Sequence, residues 1–109
     1  MYVTIANSDI AFNPALFKFA TTLYVKFIYH IKNDTAEQAT YIRVLRQNAG
    51  TPVAGSEAII TSWPWAIVET AWIDWSAEAI AESYQIQMKV SGGVGEFNSA
   101  LMVLSPVQL

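Results

Sequence analysis

The fold class is decided by the stretch Thr22-Leu23-Tyr24-Val25-Lys26-Phe27-Ile28-Tyr29-His30-Ile31-Lys32. Its side chains alternate with a period of two, which is typical of a β-strand that has one face in a core. The apolar face carries Leu23, Val25, Phe27, Tyr29 and Ile31. The opposite face carries Thr22, Tyr24, Lys26, Ile28, His30 and Lys32. We therefore predict a long strand with one buried face and one mixed face.

Further runs with strand character follow along the chain. They occupy residues 40–47, 58–61, 67–75, 83–90 and 99–104. Turn-forming residues separate them, and residues 91–95 (Ser-Gly-Gly-Val-Gly) are interpreted as a hairpin-type loop. About seven or eight short strands at this spacing predict an all-β fold, an antiparallel β-sandwich of the jelly-roll type.

The chain is short enough for one domain. We expect residues 1–20 to form an N-terminal arm or a first short strand, and residues 21–109 to form the jelly-roll domain. Within residues 67–75, alternation places Ile67 on the same face as Ile73 and Trp75. This pattern predicts one continuous strand with Trp75 in the core. The short segment 76–82 is expected to connect two strands, because it is too short to be a stable helix in water.

The composition excludes several classes of protein. Six basic residues against nine acidic ones give a net charge of -3, whereas nucleic-acid binding needs clustered Lys and Arg. The absence of cysteine excludes disulfides, thiolate metal sites and cysteine catalysis. No apolar run approaches the roughly 18 residues of a membrane span, and no signal-peptide pattern begins the chain. Only 14% of the residues are charged, compared with about a quarter in an average domain, so we expect contact with another chain.

Catalytic and metal-binding patterns are weak. His30 is the one histidine, and no acid or nucleophile lies near it in sequence. The acidic pairs Asp34 with Glu37 and Asp74 with Glu78 lack the alternating ligands and glycine of a calcium loop. We therefore expect no enzyme activity, no catalytic residue, no metal and no cofactor.

Aromatic residues are the better candidates for contact with a partner or ligand. Trp63 and Trp65 flank Pro64 in a predicted loop, where exposed rings can stack on sugars or on another protein. Carbohydrate binding is possible but less favoured than packing or subunit contact, because tryptophan is mostly buried. In the apolar N-terminal stretch, Phe12 and Phe17 are predicted to contact a partner.

The mixed face of the first strand points to an oligomer. An exposed sheet face should be polar, yet Tyr24 and Ile28 lie on this face beside His30. The last strand is apolar on both faces, with Leu101 and Val103 opposite its other apolar residues. We predict that these five residues form a subunit interface.

Four stretches of the chain resemble one family. They are Thr22-Leu23-Tyr24-Val25-Lys26-Phe27-Ile28-Tyr29-His30-Ile31, Tyr41-Ile42-Arg43-Val44-Leu45-Arg46-Gln47-Asn48, Ser83-Tyr84-Gln85-Ile86-Gln87-Met88-Lys89-Val90 and Ser99-Ala100-Leu101-Met102-Val103-Leu104-Ser105-Pro106. In order and spacing they resemble the strands of tumour-necrosis-factor-like and complement-globular-head jelly rolls. That resemblance implies a homotrimer without enzyme activity. It also implies a link to the bacteriophage fibre heads and capsid decoration (cement) proteins that use the same jelly roll.

The resemblance leads to a specific expectation of function. The chain begins at Met1 and has no heptad or collagen-like repeat for a fibre shaft, which favours decoration over a fibre head. We expect a trimeric capsid cement protein on the outer surface of a virion, with the major capsid protein and itself as partners. The alternative is a fibre-head module that binds a receptor or a carbohydrate.

Overall fold

The computed structural model describes residues 1–12, 23–61, 64–75 and 82–105. These residues form ten antiparallel β-strands in two packed sheets and contain no α-helix. The strands are β1 (Val3–Thr4), β2 (Ile10–Phe12), β3 (Tyr24–Asn33), β4 (Thr40–Arg46), β5 (Thr51–Pro52), β6 (Ala58–Ile60), β7 (Ala66–Glu69), β8 (Ile73–Asp74), β9 (Glu82–Val90) and β10 (Gly95–Ser105). The predicted all-β sandwich is confirmed, with more strands than the seven or eight expected.

Each sheet is built around its longest strands. In the six-stranded sheet, β9 pairs with β4, the short strands β1 and β2 pair with the other edge of β9, and β5 and β6 pair with β4. In the four-stranded sheet, β3 lies at the centre, β10 pairs with one edge, and β7 and β8 pair with the other. The N-terminal strands β1 and β2, which end at Phe12, are therefore part of the six-stranded sheet.

The inner face of β3 forms the middle of the core, as its alternation predicts. Val25, Tyr29 and Ile31 are fully buried, and Phe27 is nearly so. Tyr29 also donates a hydrogen bond from its hydroxyl to the Ser56 carbonyl at 2.7 Å, so its one polar atom is satisfied. The outward-facing residues of β3 are all partly exposed, which leaves them available for contacts outside the core.

An aromatic cluster joins the two sheets around Trp75. The indole is 1% exposed, and its ring centroid lies 6.0 Å from Phe12, 6.0 Å from Phe27 and 5.6 Å from Tyr84. These rings come from β2, β3 and β9, and tilted or edge-on contacts at such distances are favourable. Trp75 is thus a core residue, as expected from the sequence.

The prediction of one continuous strand over residues 67–75 is wrong. β7 and β8 are separate, and Ile28 lies opposite Glu69 whereas Val25 lies opposite Ile73. If the two strands were one regular strand, the residue opposite Val25 would be Trp72 and not Ile73. One extra residue is therefore inserted between β7 and β8. Because a one-residue slip exchanges the two faces, Ile67 points away from the core on which Ile73 packs.

The bend between β7 and β8 is held by Thr70. Its backbone N–H donates to the Phe27 carbonyl at 2.9 Å, and its hydroxyl accepts from the Phe27 N–H at 3.1 Å. A threonine side chain thus replaces a backbone acceptor at the point where regular pairing stops. These hydrogen bonds to β3 stabilise the irregularity that the alternation did not reveal.

The loop between β9 and β10 is not a hairpin, because these strands belong to different sheets. It crosses the end of the sandwich beside the β3–β4 loop. Asn33 is fully buried and donates from Nδ2 to the Thr40 hydroxyl at 3.2 Å and to the Gly92 carbonyl at 3.0 Å. The adjacent Gly93 has a φ of 68°, a conformation that glycine adopts readily.

Truncation of the β3 core face tests this packing. Val25→Ala should lower the free energy of unfolding by about 2 kcal/mol, because it leaves a cavity at a fully buried position. The matched control Val94→Ala removes the same atoms from an exposed loop residue and should cost less than about 0.5 kcal/mol. Urea unfolding measures both variants. Equal losses for the two would contradict the assignment of β3 to the core.

The crossing loops predict a dependence of stability on pH. The Asp34 carboxylate accepts from the Val94 N–H at 2.7 Å and from the Thr35 hydroxyl at 2.8 Å, and these bonds lower its pKa below 3.8. Because the folded pKa is below the unfolded one, ionised Asp34 stabilises the fold above about pH 4, and this effect disappears as the pH falls through the folded pKa. Asp34→Asn should melt below wild type at about pH 6, and this gap should narrow as the pH falls below about 4. A gap in melting temperature that stays constant with pH would contradict this.

Candidate functional site

The outward side of the four-stranded sheet collects the residues predicted for a subunit interface. We call this surface the outer face. Its central row comes from β3, whose outward and partly exposed positions are Tyr24, Lys26, Ile28, His30 and Lys32. Residues directly opposite one another in paired strands share a face and lie within side-chain contact. The register of β10, β7 and β8 against β3 therefore defines the rest of the surface.

An apolar centre occupies the middle of the outer face. Ile28 lies opposite Leu101 of β10, which is 60% exposed. Two residues further along β3, His30 lies opposite Ile67 of β7, which is 72% exposed. Two residues beyond Leu101 on β10, Val103 lies opposite Lys26 of β3. Three strands thus contribute large apolar side chains to one exposed region.

The two lysines of the outer face are held in place by acids and rings. Lys26 Nζ lies 3.3 Å from a carboxylate oxygen of Glu69 and 5.1 Å from the centre of the Trp72 ring. Exposed ion pairs of this kind contribute little to folding stability. They do neutralise charge beside the apolar centre, which lowers the cost of covering it with another chain.

The other end of the outer face repeats this arrangement around Trp65. Lys32 Nζ lies 3.1 Å from a carboxylate oxygen of Glu96 and 5.4 Å from the centre of the Trp65 ring. The His30 ring lies 5.0 Å from the same indole. An apolar centre within a rim of paired charges and aromatic rings is the usual composition of a protein–protein interface.

The outward side of the six-stranded sheet has a different character. Arg43 Nε donates to the Gln87 side chain at 2.9 Å, and Gln87 donates onward to the Thr4 hydroxyl at 3.4 Å. Gln85 donates to the Asp9 carboxylate at 2.9 Å. Polar side chains that bond to one another along the strands are typical of a sheet face in contact with water.

Tyr2 also packs on the outward side of the six-stranded sheet. Its ring centre lies 3.7 Å from the Arg43 guanidinium and 4.9 Å from Lys89 Nζ, and its hydroxyl donates to the Glu57 carboxylate. Burial and the negative charge of Glu57 raise the pKa of the Tyr2 hydroxyl, so it remains a neutral donor. These contacts hold β1 against the sheet and satisfy the charges on this side.

All five residues predicted for the oligomer interface lie on the outer face. Tyr24, Ile28 and His30 come from β3, and Leu101 and Val103 come from the paired strand β10. Sequence reasoning missed Ile67 and Trp72 as members of this surface. The inserted residue between β7 and β8 hides Ile67, because regular alternation assigns it to the core.

The four aromatic residues predicted to contact a partner have different positions. Phe12 is 8% exposed and packs edge-on against Trp75, so in the folded chain its ring belongs to the core and is not available to a partner. Trp65 is 43% exposed at the rim of the outer face. Phe17 and Trp63 lie outside the described residues.

Metal-ligating side chains are not grouped in the part of the chain that the structure describes. Across residues 1–12, 23–61, 64–75 and 82–105, no three His, Asp or Glu side chains lie together in a position to hold a metal ion. His30, the one histidine, contacts the Trp65 ring. Within the same residues, no helix is long and apolar enough to cross a membrane.

Comparison with known proteins adds no assignment to this description. The chain matches no protein-family model, no curated protein and no solved structure. The class that its architecture defines is the antiparallel β-sandwich.

Proposed function

We propose that the protein is a non-enzymatic structural protein that assembles with copies of itself through the outer face. The observation that supports this is the apolar centre, where Leu101 and Ile67 are exposed on either side of the partly exposed Ile28. A sheet face in contact with water usually carries polar residues, as β9 of the six-stranded sheet does with Gln85, Gln87 and Lys89. Covering the apolar centre with a second chain removes it from water, which is the main favourable term in association.

The resemblance to tumour-necrosis-factor-like and complement-globular-head jelly rolls supports a homotrimer. It also supports the role that we propose for this trimer, that of a capsid decoration or cement protein on the surface of a virion. Such a protein binds the assembled shell of the major capsid protein and not its free subunits. By mass action, preferential binding to the assembled state stabilises that state.

A second candidate function is recognition of a receptor or carbohydrate. The exposed edge of Trp65 favours it, because an accessible indole can stack on a sugar ring. Lys32 and His30 lie against the same ring, however, and leave less of it for a ligand. Binding of the purified protein to a glycan array, lost on Trp65→Ala, would favour this function over decoration.

A pair of matched variants tests the proposed subunit interface. We expect light scattering to give about three chains per particle for the wild type. Ile28→Lys should dissociate this trimer, because burying added charges at a shared interface is unfavourable. Ile59→Lys makes the same change at a 47% exposed residue opposite Tyr41 in the six-stranded sheet and should leave the trimer intact.

The pair also distinguishes assembly from folding. Circular dichroism should show that both variants retain the β-rich fold, since neither side chain is part of the core. A monomeric wild type, or an Ile28→Lys variant that remains trimeric with an unchanged melting temperature, would contradict assembly through the outer face.

Decoration is tested on particles. Adding the protein to undecorated shells should raise the temperature at which they release DNA, because the bound protein stabilises the assembled shell. Ile28→Lys should not reproduce the effect, whereas Ile59→Lys should. Identical release curves with and without saturating wild-type protein would argue against the cement role and favour the receptor-binding module.

A further inference from the structure

Two basic side chains lie near one another on the outward side of the six-stranded sheet. Arg43 of β4 lies opposite Gln87 of β9, and Lys89 lies two residues further along β9, opposite Tyr41. Diagonal neighbours of this kind in an antiparallel pair share a face and are about 7 to 8 Å apart. We call Arg43 and Lys89 the cation pair.

Aromatic rings, and not acids, stabilise the charges of the cation pair. The Tyr2 ring centre lies 3.7 Å from the Arg43 guanidinium and 4.9 Å from Lys89 Nζ, and the Tyr41 ring centre lies 4.7 Å from the same Nζ. The two lysines of the outer face, by contrast, each form an ion pair with a glutamate. No carboxylate of the described residues forms such an ion pair with Arg43 or Lys89.

Contacts with rings leave the hydrogen-bond donors of the cation pair available. Arg43 donates from Nε to the Gln87 side chain at 2.9 Å, and its Nη atoms donate to no acceptor within the described residues. The same holds for Lys89 Nζ, whose described contacts are with the two tyrosine rings. The N–H groups of a guanidinium match the two oxygens of a carboxylate, and hydrogen bonds between such charged groups are strong. The cation pair therefore presents two groups that are suited to bind carboxylates.

Two acids on the same side of the sheet limit the size of the anion that fits. Glu57 accepts a hydrogen bond from the Tyr2 hydroxyl, and Asp9 accepts from Gln85 at 2.9 Å, two residues along β9 from Gln87. A long polyanion such as a nucleic acid needs many clustered basic residues and would be repelled by these acids. A short segment with two carboxylates needs the cation pair alone.

We propose that the cation pair binds an extended acidic segment of another protein, with carboxylates at alternate positions. Alternate residues of an extended chain point to the same side and are about 7 Å apart, which matches the diagonal spacing of the cation pair. One carboxylate accepts hydrogen bonds from the Nη atoms of Arg43, and the other accepts from Lys89 Nζ. Complementary charges arranged in this way provide specificity for the spacing of the acids.

The occupant of the cation pair is a protein other than this chain. This sequence contains no two acidic residues at alternate positions, so a second copy of the chain does not supply the segment. None of the described contacts of the cation pair involves a residue of the four-stranded sheet. The proposal therefore goes beyond the proposed trimer and does not depend on it.

NMR titration with two synthetic peptides tests the proposed spacing. The probe is a peptide of about eight serine, threonine and aspartate residues, in which two aspartates occupy alternate positions. The control peptide has the same composition with its two aspartates adjacent. At low salt the probe should shift the side-chain resonances of Arg43 and Lys89 and should bind about threefold or more tightly than the control. Added salt should weaken this binding, because exposed charges are screened.

Variants that remove one charge locate the binding site. Arg43→Gln and Lys89→Gln should each weaken binding of the probe about fivefold or more, because each removes one charged donor. The matched control Lys32→Gln makes the same change in net charge on the outer face and should alter binding less than about twofold. Glu57→Gln should strengthen binding, since the amide can still accept from Tyr2 and no longer repels the probe.

Three results would overturn the proposal. The first is equal binding of the two peptides, and the second is a loss with Lys32→Gln as large as the losses with Arg43→Gln and Lys89→Gln. The third is binding of sulfate or glucuronate as tight as that of the probe, which would assign the cation pair to a single anion. Ile28→Lys should bind the probe like the wild type, so a failure of the proposed trimer remains distinct from a failure of this proposal.

Discussion

The structure depends on the position of β3, which is paired along both edges and packed against the facing sheet. Its inward side chains form the middle of the core, where Phe27 contacts Trp75 and the Tyr29 hydroxyl donates to the Ser56 carbonyl in the loop between β5 and β6. A strand in this position cannot shift by one residue without exposing that entire set. The same constraint determines the outer face, because every residue between two core positions must point away from the core.

The two sheets use their outward sides differently. On the six-stranded sheet, side-chain hydrogen bonds and the stacking of Tyr2 on Arg43 satisfy the polar groups within the chain. On the four-stranded sheet, the lysines are neutralised at the rim, and the apolar centre around Ile28 and Leu101 has no cover from the described residues. This asymmetry supports the proposed association through the four-stranded sheet.

The members of the candidate interface were predictable where pairing is regular. Tyr24, Ile28 and His30 follow from alternation in β3, and Leu101 and Val103 from the unusual apolarity of the last strand. Their proximity to one another is a result of the β3–β10 register, which no feature within either strand specifies. The role of Phe12 was not predictable, because its short strand does not show which face it turns inward.

The sequence by itself determined the all-β class, the core face of β3, the burial of Trp75 and the set of residues that alternate outward. These properties are local, since they depend on a period of two and on turn residues. Only the tertiary structure decided which strands pair, that β9 and β10 lie in different sheets, and that Ile67 faces outward. The hydrogen bonds of Thr70 to β3 hold the extra residue that turns Ile67 outward. The residues that pair in this way are far apart in sequence, so the residue pattern of a single strand cannot predict the pairing.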